Sequence, residues 1–457
     1  MEATIAGQLA GNELRELAGW GANTRAACDL REPDSTADVI GDIDAAGTIA
    51  RGLGRSYGDA ATNAGGRVLG MSKFDRYLAF DEQSATLTCE AGVSLEQIID
   101  DFGPRGLFPM ITPGTKYVTI AGCIANDIHG KAHHAQGSFC TCVDAMQILL
   151  PDGSVVTASR EENSELFWGT FGGMGLLGVI LSATIRLRRI ETTYFRQKAI
   201  VVSNLEAMLA ALDEHDQQVP YSVAYVDPVA TGARLGSGVL TVGDHALLSD
   251  LPAHLAAAPL YISGQPKLVV PFELPEITLN PLTIRALNVV LKAMQSHARG
   301  FGHYEKFFYP LDFVRHWNRA YGRRGFTQYQ FVIPFEDGLK RLRELLTTIV
   351  SSGELPFLNV LKRLGKQSQG LLSFPQEGYT FAIDFPIRSG TLELVHRLDR
   401  MVLDAGGRIY LGKDSYVQPQ TFRAMYPRLD EFLALKAKVD PKGVLTSDLA
   451  RRVGLVP

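Results

Sequence analysis

A chain of 457 residues is too long for one typical core and predicts two domains or three. Its 46% hydrophobic and 21% charged residues are those of an ordinary globular protein, and a net charge of −4 excludes the basic footprint of a nucleic-acid binder. No basic start leads into an apolar run, and no stretch of about 18 apolar residues occurs, so neither a signal peptide nor a transmembrane segment is expected.

In chain order, residues 1–20 predict a short helix ended by Trp20-Gly21. Ile49 to Asp59 then packs three glycines and a serine between two arginines. This is neither a Walker loop nor a GxGxxG turn opening a helix, because Asp59 to Gly66 continues as loop. It suits an anion-binding nest of successive N–H groups, with a plain surface loop as the alternative. Residues 67–69, 77–80 and 85–89 read as short strands. Residues 94–102 carry Ser94 and Gln97 in capping-box spacing ahead of an amphipathic helix.

The next stretch, 113–134, organises the rest. Pro113-Gly114-Thr115 makes a turn, residues 118–125 are small and apolar, and Asn126, Asp127, His129, Lys131, His133 and His134 form a polar cluster. A loop of small residues lets a ligand approach backbone N–H groups. Residues 143–150 and 155–156 read as two strands around a tight turn, 164–168 as a helix, and the glycines of 172–178 lead into a strand over 179–187. Three Gly-rich turns beside short strands describe an α+β domain wrapped around one extended ligand. The five cysteines are odd in number and scattered, which fits a reducing compartment. Cys140-x-Cys142 is too tight for a zinc pair, so no metal site is expected.

Beyond Ile190 such glycine loops stop. Residues 192–196 look like an edge strand, 205–215 a helix, and 252–281 a long loop. Residues 284–297 predict a helix whose apolar face packs on a core, a membrane-facing surface being the alternative. The strand over 326–334 places Gln328 and Gln330 on one face, with Tyr329 and Phe331 on the other. Two amides on one face can hydrogen-bond hydroxyls; a solvent-facing strand is the alternative. Further strands over 358–362 and 379–386, with helices over 338–349 and 392–403, complete a second sheet. The tail holds residues 408–415, helical stretches at 421–426 and 430–438, and a turn at 440–445.

The run Ala50-Arg51-Gly52-Leu53-Gly54-Arg55-Ser56-Tyr57-Gly58-Asp59 resembles the first phosphate-binding loop of FAD flavoproteins of the vanillyl-alcohol-oxidase type. Pro113 to Gly122, Gly172 to Gly178 and Asp440-Pro441-x-x-Val444 resemble other segments of that fold. Asp127-Ile128-His129-Gly130-Lys131 with His133-His134, the 328–334 run, Asp384-Phe385-Pro386-Ile387 and Lys413-Asp414-Ser415 together resemble the decaprenylphosphoryl-β-D-ribose oxidase family, the flavoenzyme half of a 2′-epimerase. The resemblance runs from about Gly19 to about Arg452.

It implies an α+β, two-domain FAD-binding fold: residues 1–190 and 407–457 bind FAD non-covalently, and 191–406 form an antiparallel-sheet substrate domain. It implies oxidation of the 2′-hydroxyl of a polyprenylphosphoryl ribose, an NAD(P)H-dependent keto-reductase partner, and quinone or oxygen as electron acceptor. A lipid-linked sugar implies a cytoplasmic or peripheral membrane protein, with contact through 252–300. Cofactor contacts carry over to residues 50–59 above, to Gly114, Thr119, Ile120, Ala121 and Gly122, to His129, Gly130 and Lys131, and to Ile180 and Tyr410. Gln328, Gln330, Lys362 and Lys413 carry over to the sugar pocket. Lys413, His129 and Tyr57 are the catalytic candidates, with the proton-abstracting base left open. Thr380 and Ala382 stand where mycobacterial members have Asn and Cys, and Phe308 where they have Tyr. An alditol or aldonolactone oxidase using oxygen, and a non-catalytic flavin-binding subunit, are the alternatives.

Overall fold

Short β-branched and aromatic runs, cut by glycine turns, build three sheets that hold the site between them. The computed structural model describes residues 14–43, 46–263, 268–275, 278–354 and 356–456. The first sheet joins β1 (Arg15–Ala18), β2 (Arg25–Arg31), β3 (Thr48–Arg51) and β4 (Arg67–Gly70) in the order β1-β2-β4-β3. Here the expected N-terminal helix is corrected. Arg15–Ala18 pairs antiparallel with β2, and residues 1–13 lie outside the described residues.

The second sheet is antiparallel, built from β5 (Tyr77–Asp81), β6 (Thr86–Glu90), β7 (Leu107–Pro109), β8 (Val143–Leu149), β9 (Val155–Ser159) and β10 (Val179–Arg189), in the order β5-β6-β10-β8-β9 with β7 on β10. The capping box at Ser94 and Gln97 closes reciprocally on the Leu95–Phe102 helix, whose Leu95, Ile98, Ile99 and Phe102 are buried. The small residues after Thr119 form a helix, Ile120–Ala125, instead of a loop, because the Thr119 hydroxyl caps Gly122 N–H.

Eight strands make the third sheet. These are β11 (Tyr194–Val202), β12 (Tyr221–Val226), β13 (Gly238–His245), β15 (Arg299–His303), β17 (Phe326–Ile333), β18 (Asn359–Leu364), β19 (Gly378–Pro386) and β20 (Arg408–Ile409). Their order is β15-β11-β13-β12-β18-β19-β17-β20, and a separate parallel pair joins β14 (Leu268–Val269) to β16 (Val314–Arg315). The strand expected at the edge near 192–196 lies inside the sheet, because β15 pairs along its outer side. Arg408–Ile409 extends this sheet beyond residue 406. Tyr329, Phe331, Ile333, Leu361, Phe381 and Ile383 turn one face into the main core, under the Gly338–Ser351 and Thr391–Asp404 helices. The expected long loop over 252–281 contains the Ala253–Ala256 turn of helix and β14. The helix expected over 284–297 runs Pro281–Ser296; among its described side chains Ile284 and Asn288 are buried, while Leu282, Val289 and Val290 are exposed. Among the described residues no helix is long and apolar enough to cross a membrane.

Candidate active site

The glycine loop after β3 is fastened at its ends and open in its middle. Arg51 is turned away from the loop's hollow, donating to the carbonyls of Ala61 at 2.9 Å and Ala18 at 2.7 Å. Gly54 lies over that guanidinium with φ +64°, where a Cβ would stand 2.3 Å from Nη2. Trp20 N–H donates to Ser56 O at 2.8 Å, Gly21 N–H to Tyr57 O at 2.9 Å and Tyr57 N–H to Gly412 O at 3.0 Å. Between these ties, the backbone N–H groups of Gly52, Leu53, Gly54, Arg55 and Ser56 donate to no group among the described residues. Five adjacent free donors are what a phosphate needs. Arg55 stacks 3.8 Å over Trp20, which keeps its charge beside the loop. Asp59 is spent structurally: Arg452 holds both its oxygens at 2.8 Å.

The other cofactor candidates lie in two groups. Gly52 abuts the Thr119 cap, Gly114 is exposed with open space at its Cβ position, and Ile120, Ala121 and Gly122 begin the short helix. The N–H groups of Ile120 and Ala121 already donate to Val93 O and Ala91 O. Ile180 is buried in the core on β10, opposite Ile148. Gly130 packs on the Thr112 carbonyl, and Tyr410 stacks on Phe374 with centroids 4.8 Å apart while donating to Asn126 O at 3.1 Å.

The strand alternation puts one polar row on the remaining face of the third sheet. Antiparallel partners share a face, so Gln328 lies beside Asp384, Gln330 beside Ala382, and Lys362 beside Thr380. The row continues across the sheet through Val360 to Tyr225. Gln330 Nε2 donates to His129 Nε2 and to Thr380 Oγ1, both at 2.9 Å. Gln328 donates to Asp384, which also accepts the Tyr321 hydroxyl at 3.2 Å. The carbonyl oxygens of Gln328 and Gln330, and His129 Nδ1, are buried without a partner among the described residues. A buried polar atom left unpaired is costly, so these three mark where a polar ligand belongs.

Burial sets the charges here. His129 is held well below its usual pKa by burial, with Lys362, His133 and Lys413 adding to the effect. The ring is therefore neutral, accepting at Nε2 and protonated at Nδ1. Burial and the nearby Lys362 lower Lys413 to about 7, opposed by Asp384. Burial raises Asp384 to about 6 against the Gln328 bond, Lys413 and the Tyr321 bond. Lys362 falls to about 8 by burial, and Lys131 to about 7 by burial and Lys362. Lys413 Nζ lies 5.4 Å from the Tyr57 ring centre, and burial pushes the Tyr57 hydroxyl upward. Tyr57, Lys362 and Lys413 are half-buried around this polar row, whereas Lys131 turns to the aromatic cluster and donates to the Phe307 carbonyl.

The structure thus brings Tyr57, His129, Gln328, Gln330, Lys362 and Lys413 together. It leaves Arg51 and Asp59 as struts of the loop. Asp384 and Thr380, named from the sequence only within a motif and as a departure from mycobacterial members, bond the two glutamines directly. Their signal is an acid and a hydroxyl four residues apart, hence on one face, in an otherwise apolar and buried strand. Phe308 packs with Phe108 and Phe195 in an aromatic cluster.

Residues 30–159 match the FAD binding domain family, and residues 321–453 the D-arabinono-1,4-lactone oxidase family. The chain is 38% identical to decaprenylphosphoryl-β-D-ribose oxidase of Mycolicibacterium smegmatis, over 97% of this chain and 98% of that one. It is 36% identical to an uncharacterized protein of the mprA 5′ region in Streptomyces coelicolor, over 79% of this chain and all of that one. It is 23% identical to L-gulono-1,4-lactone dehydrogenase of Mycobacterium tuberculosis, over 91% and 93% of the two chains. The open N–H nest and the unpaired groups at His129, Gln328 and Gln330 fit a phosphate-bearing flavin with its substrate. By sequence and by architecture, the chain belongs to the decaprenylphosphoryl-β-D-ribose oxidase family of FAD-dependent oxidoreductases.

Proposed function

We propose that this chain oxidises the 2′-hydroxyl of a polyprenylphosphoryl-β-D-ribose to the ketone, the first half of an epimerisation to the arabinose form. The observation that carries this is the pair of buried, unpaired carbonyl oxygens on Gln328 and Gln330, on the sheet face where Gln330 bonds the neutral His129 and Gln328 bonds Asp384. Sugar hydroxyls are donors, and these are acceptors without donors.

FAD, when bound, supplies the hydride acceptor. The free N–H groups of residues 52–56 would hold its pyrophosphate, and Gly114, residues 119–122, His129, Gly130, Lys131 and Tyr410 are the further residues that would contact it. Gln328 and Gln330 orient the ribose. Lys413, whose pKa burial lowers to about 7, takes the hydroxyl proton in its neutral form and becomes an ammonium. That charge then offsets the negative charge gathering in the cleft. Lys362 and Lys131 add positive potential for the sugar phosphate. The keto product calls for a separate NAD(P)H-dependent reductase acting on the opposite face, and quinone or oxygen takes up the electrons. The lipid carrier places the protein in peripheral contact with a membrane.

Two expected results follow from the geometry. The base is the deprotonated amine, so kcat/KM falls as pH drops through about 7 and levels off above it; a flat profile between pH 6 and 8 refutes the assignment. In Gly52→Ala, the new Cβ would stand 2.3 Å from Thr119 Oγ1, whose rigid cap cannot yield cheaply. The purified variant should carry several-fold less flavin per protein by absorbance, and full occupancy would show that the loop does not hold the cofactor.

The match of residues 321–453 to the D-arabinono-1,4-lactone oxidase family favours a second reading, oxidation of a soluble alditol or aldonolactone by oxygen. Anaerobic bleaching of the flavin absorption separates the two. Bleaching by polyprenylphosphoryl ribose alone supports the proposal, and bleaching by free alditols or lactones replaces it. No bleaching by either, in yellow protein, favours a non-catalytic flavin subunit.

A further inference from the structure

The Arg55 side chain is bonded to no group among the described residues. Its Nε is buried without a partner, and the guanidinium forms no ion pair there. Two rings hold it instead. The guanidinium carbon lies 3.8 Å from the centre of the Trp20 ring and 5.2 Å from that of Tyr117. Both rings are fixed by the fold. Trp20 meets Trp317 edge-on with centroids 5.7 Å apart, and Asn318 donates to Trp20 O at 2.9 Å. Tyr117 N–H donates to the Thr115 hydroxyl, yet its own hydroxyl is buried with no partner among the described residues. Burial lowers the Arg55 pKa, and Asp312 is the charge that opposes it most. Asp312 is engaged elsewhere, accepting from Lys116 N–H at 2.8 Å and the Thr115 hydroxyl at 3.1 Å. A cation and a hydroxyl left without acceptors in one cage are costly unless a ligand supplies them.

The backbone N–H of Arg55 belongs to the cofactor nest, but its charge acts on the substrate domain. Burial, then Arg319, Arg315 and Arg55, hold the His316 ring below its usual pKa, so these cations converge on the 312–319 segment. Arg315 is exposed and forms no ion pair among the described residues. Tyr57 links this cage to the polar row. Burial and Asp384 push the Tyr57 hydroxyl upward, and Arg55 opposes them. Lys413 Nζ lies 5.4 Å from the centre of the same ring. Tyr57 is therefore within reach of both Arg55 and the end of the row formed by Gln328, Asp384 and Lys413.

We propose that the Arg55 guanidinium, with the Tyr117 hydroxyl, binds the phosphate of the lipid-linked sugar while Gln328 and Gln330 hold its ribose. The identity of the ligand rests on the substrate proposed above. A prenylphosphoryl sugar is a phosphodiester, singly charged with two free oxygens. One guanidinium fork matches both the charge and the oxygens, and a single negative charge tolerates Asp312 nearby. Stacking on Trp20 engages the flat face of the guanidinium and leaves its N–H edge for the ligand. The Tyr117 hydroxyl supplies one more donor. Arg55 thus selects phosphorylated sugars from free ones.

The test uses the FAD-loaded full chain with farnesylphosphoryl-β-D-ribose and with methyl β-D-ribofuranoside, which lacks the phosphate. In Arg55→Met, kcat/KM for the phosphorylated sugar should fall at least about tenfold, through KM and not through kcat. Its preference for that sugar over the methyl riboside should fall by the same factor, with flavin per protein as in wild type. Arg55→Lys should recover part of the loss, because an ammonium keeps the charge and not the fork. Tyr117→Phe leaves the arginine in place and should raise KM about threefold; it and Arg55→Lys decide if Arg55→Met misfolds. An Arg55→Met protein that sheds flavin but keeps the wild-type KM per bound flavin gives this side chain to the cofactor and overturns the proposal. So does full flavin with an unchanged KM, or a loss carried by kcat alone. If wild type oxidises neither sugar, the substrate reading fails by itself, and farnesyl phosphate then probes the site through tryptophan fluorescence. Binding at least about tenfold weaker in Arg55→Met keeps the phosphate site; equal binding, or none by wild type, removes it.

Discussion

Lys413→Ala should purify yellow and FAD-loaded, yet its flavin should bleach with substrate some 10²- to 10⁴-fold more slowly than wild type, the usual cost of a lost general base. Lys413 sits in a turn whose backbone is held independently of its side chain: Lys413 N–H and Asp414 N–H both donate to Tyr410 O at 3.0 Å. Removing the side chain therefore leaves the turn, and with it the flavin site, in place. Lys413→Arg separates two roles. A guanidinium supplies the positive charge but cannot give up its proton to become a base. An Arg variant as slow as the Ala variant assigns Lys413 to proton removal. Recovery to within about tenfold of wild type assigns it to charge alone. Asp384→Asn adds a directional check. The Asp384 carboxylate opposes the burial that lowers Lys413, so without it the Lys413 pKa drops further and the pH–rate limb moves to lower pH. An Ala variant that bleaches at the wild-type rate would remove Lys413 from the chemistry.

What could be read from the sequence follows from how local each cause is. The polar floor was legible because period-two alternation puts Gln328 and Gln330 opposite Tyr329 and Phe331, and the structure keeps that division. The capping box at Ser94 was legible because both of its bonds close within four residues. The glycine loop was legible as a nest, but the directions of its arginines were not. Arg51 turns back to carbonyls set by the fold, while Arg55 stays beside the loop on Trp20. The 192–196 strand misled because its outer neighbour, β15, lies about a hundred residues on. The helix over 281–296 shows the limit most plainly. Periodicity reports that a stripe exists, and only tertiary anchors such as Tyr225 and Asp227 decide whether it faces in or out. Lys413 alone carries no signal beyond an isolated lysine; the family motif around it supplied its role.

Arg452→Met should be the most destabilising single change near the site, at about 3–5 kcal/mol, the range for stripping one partner from a buried ion pair. Arg452 forks onto both oxygens of Asp59 at 2.8 Å, lies 2.9 Å from Asp414 Oδ2, and donates to Val417 O at 2.9 Å. Both carboxylates are about 95% buried, and burial already raises Asp59 even with the arginine present. Without it two acids face each other across a dry contact, since each raises the cost of ionising the other. The damage reaches the cofactor loop directly. Gly58 packs so closely on the Asp414 carbonyl that a Cβ there would stand 2.0 Å away, and Tyr57 N–H bonds Gly412 O, so the loop and the Lys413 turn share this clamp. Arg452→Met should therefore unfold several degrees earlier and shed flavin, both followed by the rise of flavin fluorescence on heating. Arg452→Lys should recover only part of the loss, because an ammonium cannot fork onto one carboxylate while reaching a second. Combining Arg452→Met with Asp59→Asn should restore stability relative to Arg452→Met alone, since the uncompensated charge leaves with the acid. A single variant that melts within about 1 °C of wild type with full flavin would show that the clamp is dispensable.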